Sequence, residues 1–417
     1  MALIVIKIKQ DKEATFGRSL VRGQQTCTQQ GCLRIAVFVV GLLLLGLNAQ
    51  AALPVVEPQT IGFDPQKLAA IEAVIAEGIS EKKMPGCVVC FGRRGQIAWL
   101  KAYGNKQVEP AVVPMTTDTV FDMASLTKPV ATATSIMLLI ERGKLSLSDK
   151  VSTLIPEFAV NEKQEITIRD LLIHQSGLIA DNAMADYQDG PAVAMQKIYA
   201  LNLQNSVGTK FVYSDVNFIL LGDLVKRVSG RSVDEFSQQE IFEPLEMHET
   251  RYLPNAELKA RSAPTQKRDG NWIQGEVHDP RAFKLGGIAG HAGLFSTAED
   301  MAIYASMMLD SGRIGETQIL KPETVVLMTQ GNRVRSGIRG LGWDKQTSFS
   351  INKGEALTES AFGHGGFTGT VLWIDPELDI FFLFLSNRVH PDGKGSVNQL
   401  AGKLATIVAN AVMKSTQ

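Results

Sequence analysis

The two ends of this chain carry the same pair of elements in opposite order, and that symmetry narrows the fold more than any other feature. Near the start, residues 64–82 place Leu68, Ile71, Val74, Ile75 and Ile79 at helical intervals. Two β-like runs follow, Gly86 to Phe91 and Gln96 to Tyr103, around the hairpin signal Gly92-Arg93-Arg94-Gly95. Late in the chain, Gly369 to Asp375 and Ile380 to Ser386 form a second apolar hairpin around Pro376-Glu377-Leu378-Asp379. A last helix over residues 397–413 then carries Leu400, Leu404, Ile407, Val408 and Ala411 on one stripe. The pattern predicts an α+β fold: one antiparallel sheet built from both termini and flanked by both helices. The middle is then an insertion over residues 156–285, mainly helical, including Ile168–His174 and Val216–Ser229 closed by Gly230. No internal repeat or low-complexity linker divides residues 52–417, which are read as one domain.

With 417 residues, 45% hydrophobic and 20% charged, the chain is long enough for a large core. Lys plus Arg total 42 against 43 for Asp plus Glu, so no net field draws it to nucleic acid or an acidic membrane surface. A small or locally steered partner is the expectation. Ile35 to Leu47 is uncharged, follows Arg34 and precedes Ala49-Gln50-Ala51, the charged, apolar, small-residue order of a secretory signal. A membrane span needs about 20 apolar residues, so residues 1–51 read as a signal peptide cut after Ala51. Periplasmic or secreted location follows, with attachment to the inner membrane only if residues 35–47 are retained. Residues 1–33 make the region before the apolar run unusually long, as a misassigned start codon would. Cys27 and Cys32 would leave with the signal; no lipidation is expected at Cys32. Cys87 and Cys90 have redox-motif spacing but sit in a Val-rich strand, where residues three apart face opposite sides of the sheet. They read as packed, inert thiols.

Ser125-Leu126-Thr127-Lys128-Pro129 opens a long apolar-periodic segment that runs to Gly143. Pro129 fits a first helical turn, where its missing N–H costs no hydrogen bond. Three-residue spacing on a helix brings Ser125 and Lys128 to one face. A serine hydroxyl is a weak nucleophile unless a base takes its proton, and a lysine can do so only when burial or a nearby cation keeps it neutral. The helix N-terminus adds an N–H aimed at a developing oxyanion. Alone, this pattern reads first as a helix cap beside a solvated lysine.

Phe211-Val212-Tyr213-Ser214-Asp215-Val216-Asn217 ends an extended segment and starts a helix, with Ser214 or Asp215 as N-cap. Tyr213 and Asp215 can then face a shared cleft, and a tyrosine beside a lysine can relay a proton; a core tyrosine next to a capping aspartate is the other reading. Gly363-His364-Gly365-Gly366-Phe367-Thr368-Gly369 opens the last hairpin. Its glycines let a substrate backbone approach, and His364 would add a donor at the rim that gains charge below about pH 6.5. A bulged strand start with a surface histidine is the alternative.

In order and spacing, Ser125-Leu126-Thr127-Lys128, Tyr213-Ser214-Asp215 and His364-Gly365-Gly366 resemble the three motifs of serine β-lactamase-like and penicillin-binding proteins of class C type. The stretches Leu171-Leu172-Ile173-His174-Gln175-Ser176-Gly177-Leu178, Gly287 to Ser296 and His278-Asp279 look most like the penicillin-binding protein 4B group. The resemblance spans the chain from about residue 60. It implies that Ser125 is acylated, that Lys128 accepts its proton, that Tyr213 serves as second base and acid, and that the oxyanion sits between the N–H groups of Ser125 and Phe367. Asp215, His364, Gly366 and Phe367 become substrate-binding positions.

Two departures bear on substrate. The family often has lysine and threonine where this chain has His364 and Gly365, removing a hydroxyl that helps hold a substrate carboxylate. Asp215 replaces the usual asparagine, exchanging an amide donor for a carboxylate. Strong β-lactamase activity is therefore not the expectation. An exported serine hydrolase, a D-Ala-D-Ala carboxypeptidase or esterase acting on small-molecule or peptidoglycan-peptide substrates, is. The alternatives are a weak β-lactamase or a protein that binds penicillin or cell-wall peptide without turnover. His174, His278, His291 and His390 show no metal-ligand spacing, and neither metal nor cofactor is expected. His174 and His291 read as packing residues, and Ser296-Thr297-Ala298-Glu299 as a helix capping box.

Overall fold

The computed structural model describes residues 52–413. The signal-peptide reading of residues 1–51, with Cys27 and Cys32, lies outside them. Among the described residues, no helix is long and apolar enough to cross a membrane.

The two terminal hairpins meet in one sheet. Strands β1 (Gly86–Arg93), β2 (Gln96–Gln107), β3 (Val113–Pro114), β4 (Asn332–Val334), β5 (Gly337–Arg339), β6 (Asp344–Gln346), β7 (Phe362–Gly365), β8 (Thr370–Asp375) and β9 (Ile380–Ser386) lie in the order β4-β5-β6-β7-β8-β9-β1-β2-β3. Every neighbouring pair is antiparallel. The seam between the chain's two ends is β1 against β9, in register from Cys87 opposite Ser386 to Gly92 opposite Phe381. Arg94 and Gly95 both take positive φ, 55° and 66°, at the β1–β2 turn, as a tight hairpin with right-handed strand twist requires. At the β8–β9 turn, Asp375 Oδ1 accepts the N–H groups of Glu377 and Leu378, each at 3.1 Å.

Helices α1 (Ala70–Ser80), α2 (Thr134–Glu141), α3 (Asp215–Ser229), α4 (Ala298–Leu309) and α5 (Asn398–Ala411) cover this sheet and its insertion. The terminal helices α1 and α5 cover one face only, packing Ile71, Ile75, Leu400, Leu404 and Val408 against Cys87, Val89, Phe91, Trp373, Phe382 and Phe384. Val88, Cys90, Leu372, Phe381, Leu383 and Leu385 point the other way, into a larger core shared with α2, α3 and α4. Burial on both faces explains why β1, β8 and β9 read as continuous apolar runs rather than alternating ones. The antiparallel sheet flanked by the terminal helices is as expected from sequence, and α2, α3 and α4 supply the cover on its other face.

Residues 156–285 hold mostly short helices, among them Ile168–Leu172, and the strand pairs Lys267–Arg268 with Asn271–Trp272. Within this region α3 ends at Gly230, whose φ of 77° suits a left-handed cap. The cap of α4 is Thr297, which accepts Asp300 N–H, so the expected box from Ser296 and Glu299 does not form: Ser296 closes a strand and the cap falls one residue later.

Cys87 and Cys90 are free, fully buried and on opposite faces of β1, and burial pushes both thiols well above the ordinary range. Native protein should therefore resist alkylation by iodoacetamide at pH 8 and take up two labels per described domain only in denaturant. Rapid native labelling, or oxidation of the pair to a disulfide without unfolding, would contradict this packing.

Candidate active site

Ser125 stands on a turn whose backbone is held from several sides. Phe121–Asp122 pairs with Leu294–Ser296, which also pairs with Arg251–Tyr252. From there the chain enters a tight 3₁₀ turn, Ala124–Leu126, then a widened π-type stretch, Lys128–Ala133, before α2. Pro129 lies in the first turn of that stretch, as expected. In a regular α-helix its ring would crowd the carbonyl four residues back, that of Ser125; the wider turn opens this spacing, and Thr134 Oγ1 donates to Pro129 O at 2.9 Å.

Ala124, just before the nucleophile position, has φ of +46°, a region that costs a residue with a Cβ about 1–2 kcal/mol. Its N–H donates to Asp122 Oδ1 at 2.8 Å, while Asp122 Oδ2 accepts His278 N–H at 2.7 Å. Burial pushes the Asp122 carboxyl up to about 6 despite these two donors. From the sheet, Thr368 Oγ1 donates to Asp122 O and Thr370 Oγ1 to Met123 O, at 2.7 and 3.0 Å. A Cβ on Gly366 would lie 2.1 Å from Thr370 Oγ1 and 2.6 Å from Met123 O, so glycine there permits this approach.

Lys128 is fully buried behind Ser125. Its Nζ donates to Ser125 Oγ at 2.9 Å and His291 O at 3.1 Å, and forms an ion pair with Asp215 Oδ1 at 2.6 Å. Burial disfavours the ammonium, but the Asp215 charge and the Tyr213 oxygen outweigh it and hold the Lys128 pKa above that of a free lysine. Asp215 moves the opposite way: burial raises its pKa, Lys128 and His291 lower it further, and the net direction is down. Both directions favour an ammonium beside a carboxylate. A neutral Lys128 as resting base, expected from sequence, needs burial to dominate, and here the Asp215 carboxylate opposes it. Asp215, expected in the cleft, turns beneath it to Lys128 because it occupies the first turn of α3, capped by Ser214 Oγ on Asn217 N–H at 3.2 Å.

Ser125, Tyr213, His364, Gly365, Gly366 and Phe367 do converge, in one cleft of about 350 Å³. The Tyr213 ring packs 4.6 Å from His174, 5.0 Å from Phe349 and 5.9 Å from His364, and its centroid lies 5.0 Å from Lys128 Nζ. His174 acts as the packing residue expected: Nδ1 accepts Ser214 N–H at 3.0 Å, fixing the loop that presents Tyr213. His364 departs from the expected rim position. It is 5% exposed, and burial together with Arg339 and Lys128 drives its pKa well below the ordinary value, so it stays neutral. Its Nδ1 faces Gly365 O at 2.8 Å; a carbonyl only accepts, so Nδ1 carries the proton and Nε2 is left as an acceptor. The N–H groups of Ser125 and Phe367 donate to no backbone or side-chain acceptor among the described residues.

His291 contributes through its backbone, as above, and its Nε2 contacts Asp279 Oδ1 at 3.0 Å. Asp279 caps the helix Pro280–Lys284 by accepting Arg281 and Ala282 N–H. Asp215, Asp279 and His291 lie close enough to offer a three-ligand cluster, but the Lys128 ammonium already neutralises its nearest carboxylate. Sequence reasoning missed Asn352, Arg339, Phe349 and Arg388, which also line the cleft. They fall between or after the motifs, where no periodicity or spacing marks them.

Residues 71–406 match the β-lactamase family profile. The chain belongs to the β-lactamase family. Within it, this protein is 33% identical over 384 residues to an N-acetylmuramyl-L-alanine amidase of Bacillus subtilis (strain 168), covering 82% of this chain and 87% of that one. It is 30% identical over 399 residues to an Escherichia coli (strain K12) protein provisionally named a D-alanyl-D-alanine carboxypeptidase, covering 86% and 92%. A penicillin-binding protein homologue from Caulobacter crescentus has the same fold, with TM-score 0.67, 21% identity and coverage of 84% and 99%. So does EstCE1, a hydrolase with promiscuous acyltransferase activity, at TM-score 0.66, 21% identity and coverage of 84% and 99%. This β-lactamase-family member is a serine hydrolase.

The ion pair makes a testable statement about this enzyme's pH profile. In Asp215→Asn the buried ammonium loses its counter-charge, and Lys128 should titrate about 1–3 pH units lower. If catalysis uses the charged form, kcat/KM of the variant falls off at a lower alkaline pH than that of the native enzyme. A variant gaining activity at lower pH instead would mean that neutral Lys128 is the working base.

Proposed function

We propose that this enzyme is an exported acyl-enzyme hydrolase that removes a terminal D-amino acid from cell-wall peptides, with simple esters as accessory substrates. The carrying observation is the convergence of Ser125 Oγ, Lys128 Nζ and Tyr213 at one cleft beside the Gly365–Phe367 edge. Support for the peptide substrate comes from the relatives provisionally named D-alanyl-D-alanine carboxypeptidases. The apolar run at Ile35–Leu47 supports export to the periplasm or outside.

Ser125 attacks the peptide carbonyl carbon while its hydroxyl proton passes to the Tyr213 oxygen, which acts as general base in its phenolate form beside the Lys128 ammonium. Lys128, held as an ammonium, donates to Ser125 Oγ and lowers the cost of charge on it. The carbonyl electron pair moves onto oxygen, where the Ser125 and Phe367 N–H groups receive it. Collapse of that intermediate breaks the C–N bond, and Tyr213 returns the proton to the leaving amine. Water then repeats the sequence on the ester, releasing the acid and restoring Ser125. Asp215 acts through Lys128, as a positioning residue.

A second reading is cleavage of the bond between muramic acid and L-alanine, favoured by the similarity to the Bacillus subtilis amidase. A panel of acyl-D-Ala-D-Ala peptide, muramyl-L-alanine peptide, a cephalosporin and short-chain esters separates the readings. D-alanine release by the native enzyme, lost in Ser125→Ala and lowered about 10²–10⁴-fold in Tyr213→Phe, is the expected result. Turnover of the muramyl substrate alone supports the second reading, and activity surviving in Ser125→Ala overturns both. A lasting penicillin adduct by mass spectrometry, with no substrate turned over, would indicate a binding protein.

A further inference from the structure

The cleft contains a donor that fills the space left by a missing side chain. Asn352 lies on the short 3₁₀ turn Ser350–Lys353 and is 3% exposed, yet it lines the cleft that holds Ser125. Trp373 Nε1, on β8, donates to Asn352 Oδ1 at 3.0 Å. An indole N–H only donates, so this bond fixes which end of the amide is oxygen and turns Nδ2 the other way. Among the described residues Nδ2 donates to no acceptor and keeps access to the cleft, while the rest of Asn352 is almost wholly withdrawn from water. An oriented amide donor that opens on a cleft and has no protein partner is free to bond an acceptor that a ligand brings.

Position decides what that acceptor is. A Cβ added to Gly365 would fall 2.5 Å from Asn352 Nδ2. The amide nitrogen therefore occupies the side-chain space of Gly365, on the strand edge beside the nucleophile. Charge points the same way. Arg388 lines the cleft, its Cζ 4.5 Å from the Phe367 ring, and one guanidinium nitrogen donates to Gly395 O at 2.7 Å. The other lining guanidinium, Arg339, is 3.3 Å from Asp344, whose carboxylate already accepts from Thr347 and Ser350 hydroxyls. Arg388 lacks such a carboxylate partner among the described residues, so this wall favours an anion.

We propose that Asn352 Nδ2 is a specificity donor that holds the free carboxylate of the substrate's terminal amino acid, in the space that Gly365 leaves open. The inference rests on the peptide-hydrolase reading above and sharpens it: an acyl-amino acid with a free carboxylate is preferred over its amide or ester. Asn352 makes no bond to the reacting carbon and moves no proton. Its hydroxyl counterpart at position 365 is absent, and the donor comes instead from a different element.

Calorimetric binding of N-acyl-D-alanine and of N-acyl-D-alaninamide to the full chain tests this without requiring turnover. The native protein should bind the acid about tenfold or more tightly than the amide, as for a hydrogen bond to a charged group. Asn352→Asp keeps the acceptor for Trp373 but presents a carboxylate oxygen, and should abolish that preference. Gly365→Ala, which forces the amide nitrogen aside while leaving Asn352 in place, should reduce it in the same direction. Absence of any acid preference in the native protein, or its persistence in both variants, overturns the proposal. Failure of the carboxypeptidase reading looks different: the native protein prefers the acid but releases no D-alanine from an acyl-D-Ala-D-Ala peptide.

Discussion

A single ammonium group, buried where water cannot reach it, sets the terms for the rest of the site. Removing an ammonium from water costs several kcal/mol even after relaxation, and the fold can carry that cost only by assembling oxygen partners around Lys128 Nζ. It finds them on three separate stretches: the Ser125 hydroxyl one turn back, the Asp215 carboxylate at the start of α3, and the His291 carbonyl in the loop before Leu294–Ser296. Assembly of the catalytic group and closure of the insertion onto the sheet are thus the same event. The chemistry follows from the charge. In the mechanism proposed above, a lysine held as ammonium does not accept the serine proton at rest, so it polarises Ser125, and proton movement falls to the neighbouring tyrosine oxygen as phenolate.

The strained turn around Ser125 is the second constraint, and it explains several residues at once. A left-handed Ala124 persists only because its surroundings determine it from more than one direction: Asp122 accepts its N–H, and hydroxyls of Thr368 and Thr370 reach over from the β7–β8 connection. That reach depends on Gly366. The third motif therefore does two jobs, forming the substrate-side edge and bracing the nucleophile turn. Thr127 Oγ1 accepts Leu294 N–H at 3.1 Å, and Thr132 Oγ1 donates to Gly290 O at 2.7 Å, so the stretch before α4 braces the turn from behind.

Much of this was legible because it is local. The Arg94-Gly95 hairpin, the stripe of α5, the Ser214 cap and the order of three motifs are all written within a few residues. Two-sided burial of the sheet was only half legible: continuous apolar strands announce two covers, but not which helices supply the second. Contacts between distant stretches were not legible at all. Asp215 reads as an altered cleft residue until α3 is placed and its carboxylate is seen against Lys128. His364 reads as a titrating rim donor until burial and the charges of Arg339 and Lys128 are counted. Asn352 carries no motif, and only the empty side-chain space at Gly365 gives it meaning.

The protonation state of Lys128 is the most direct point of attack. Selective ¹³Cε and ¹⁵Nζ labelling of lysine, with the Lys128 signal assigned by a Lys128→Arg variant, would follow that one group by NMR from pH 6 to pH 10. The ion pair predicts an ammonium shift throughout the range. A signal that moves to the position of a neutral amine near pH 7–8 would contradict it and return the proton-acceptor role to the lysine.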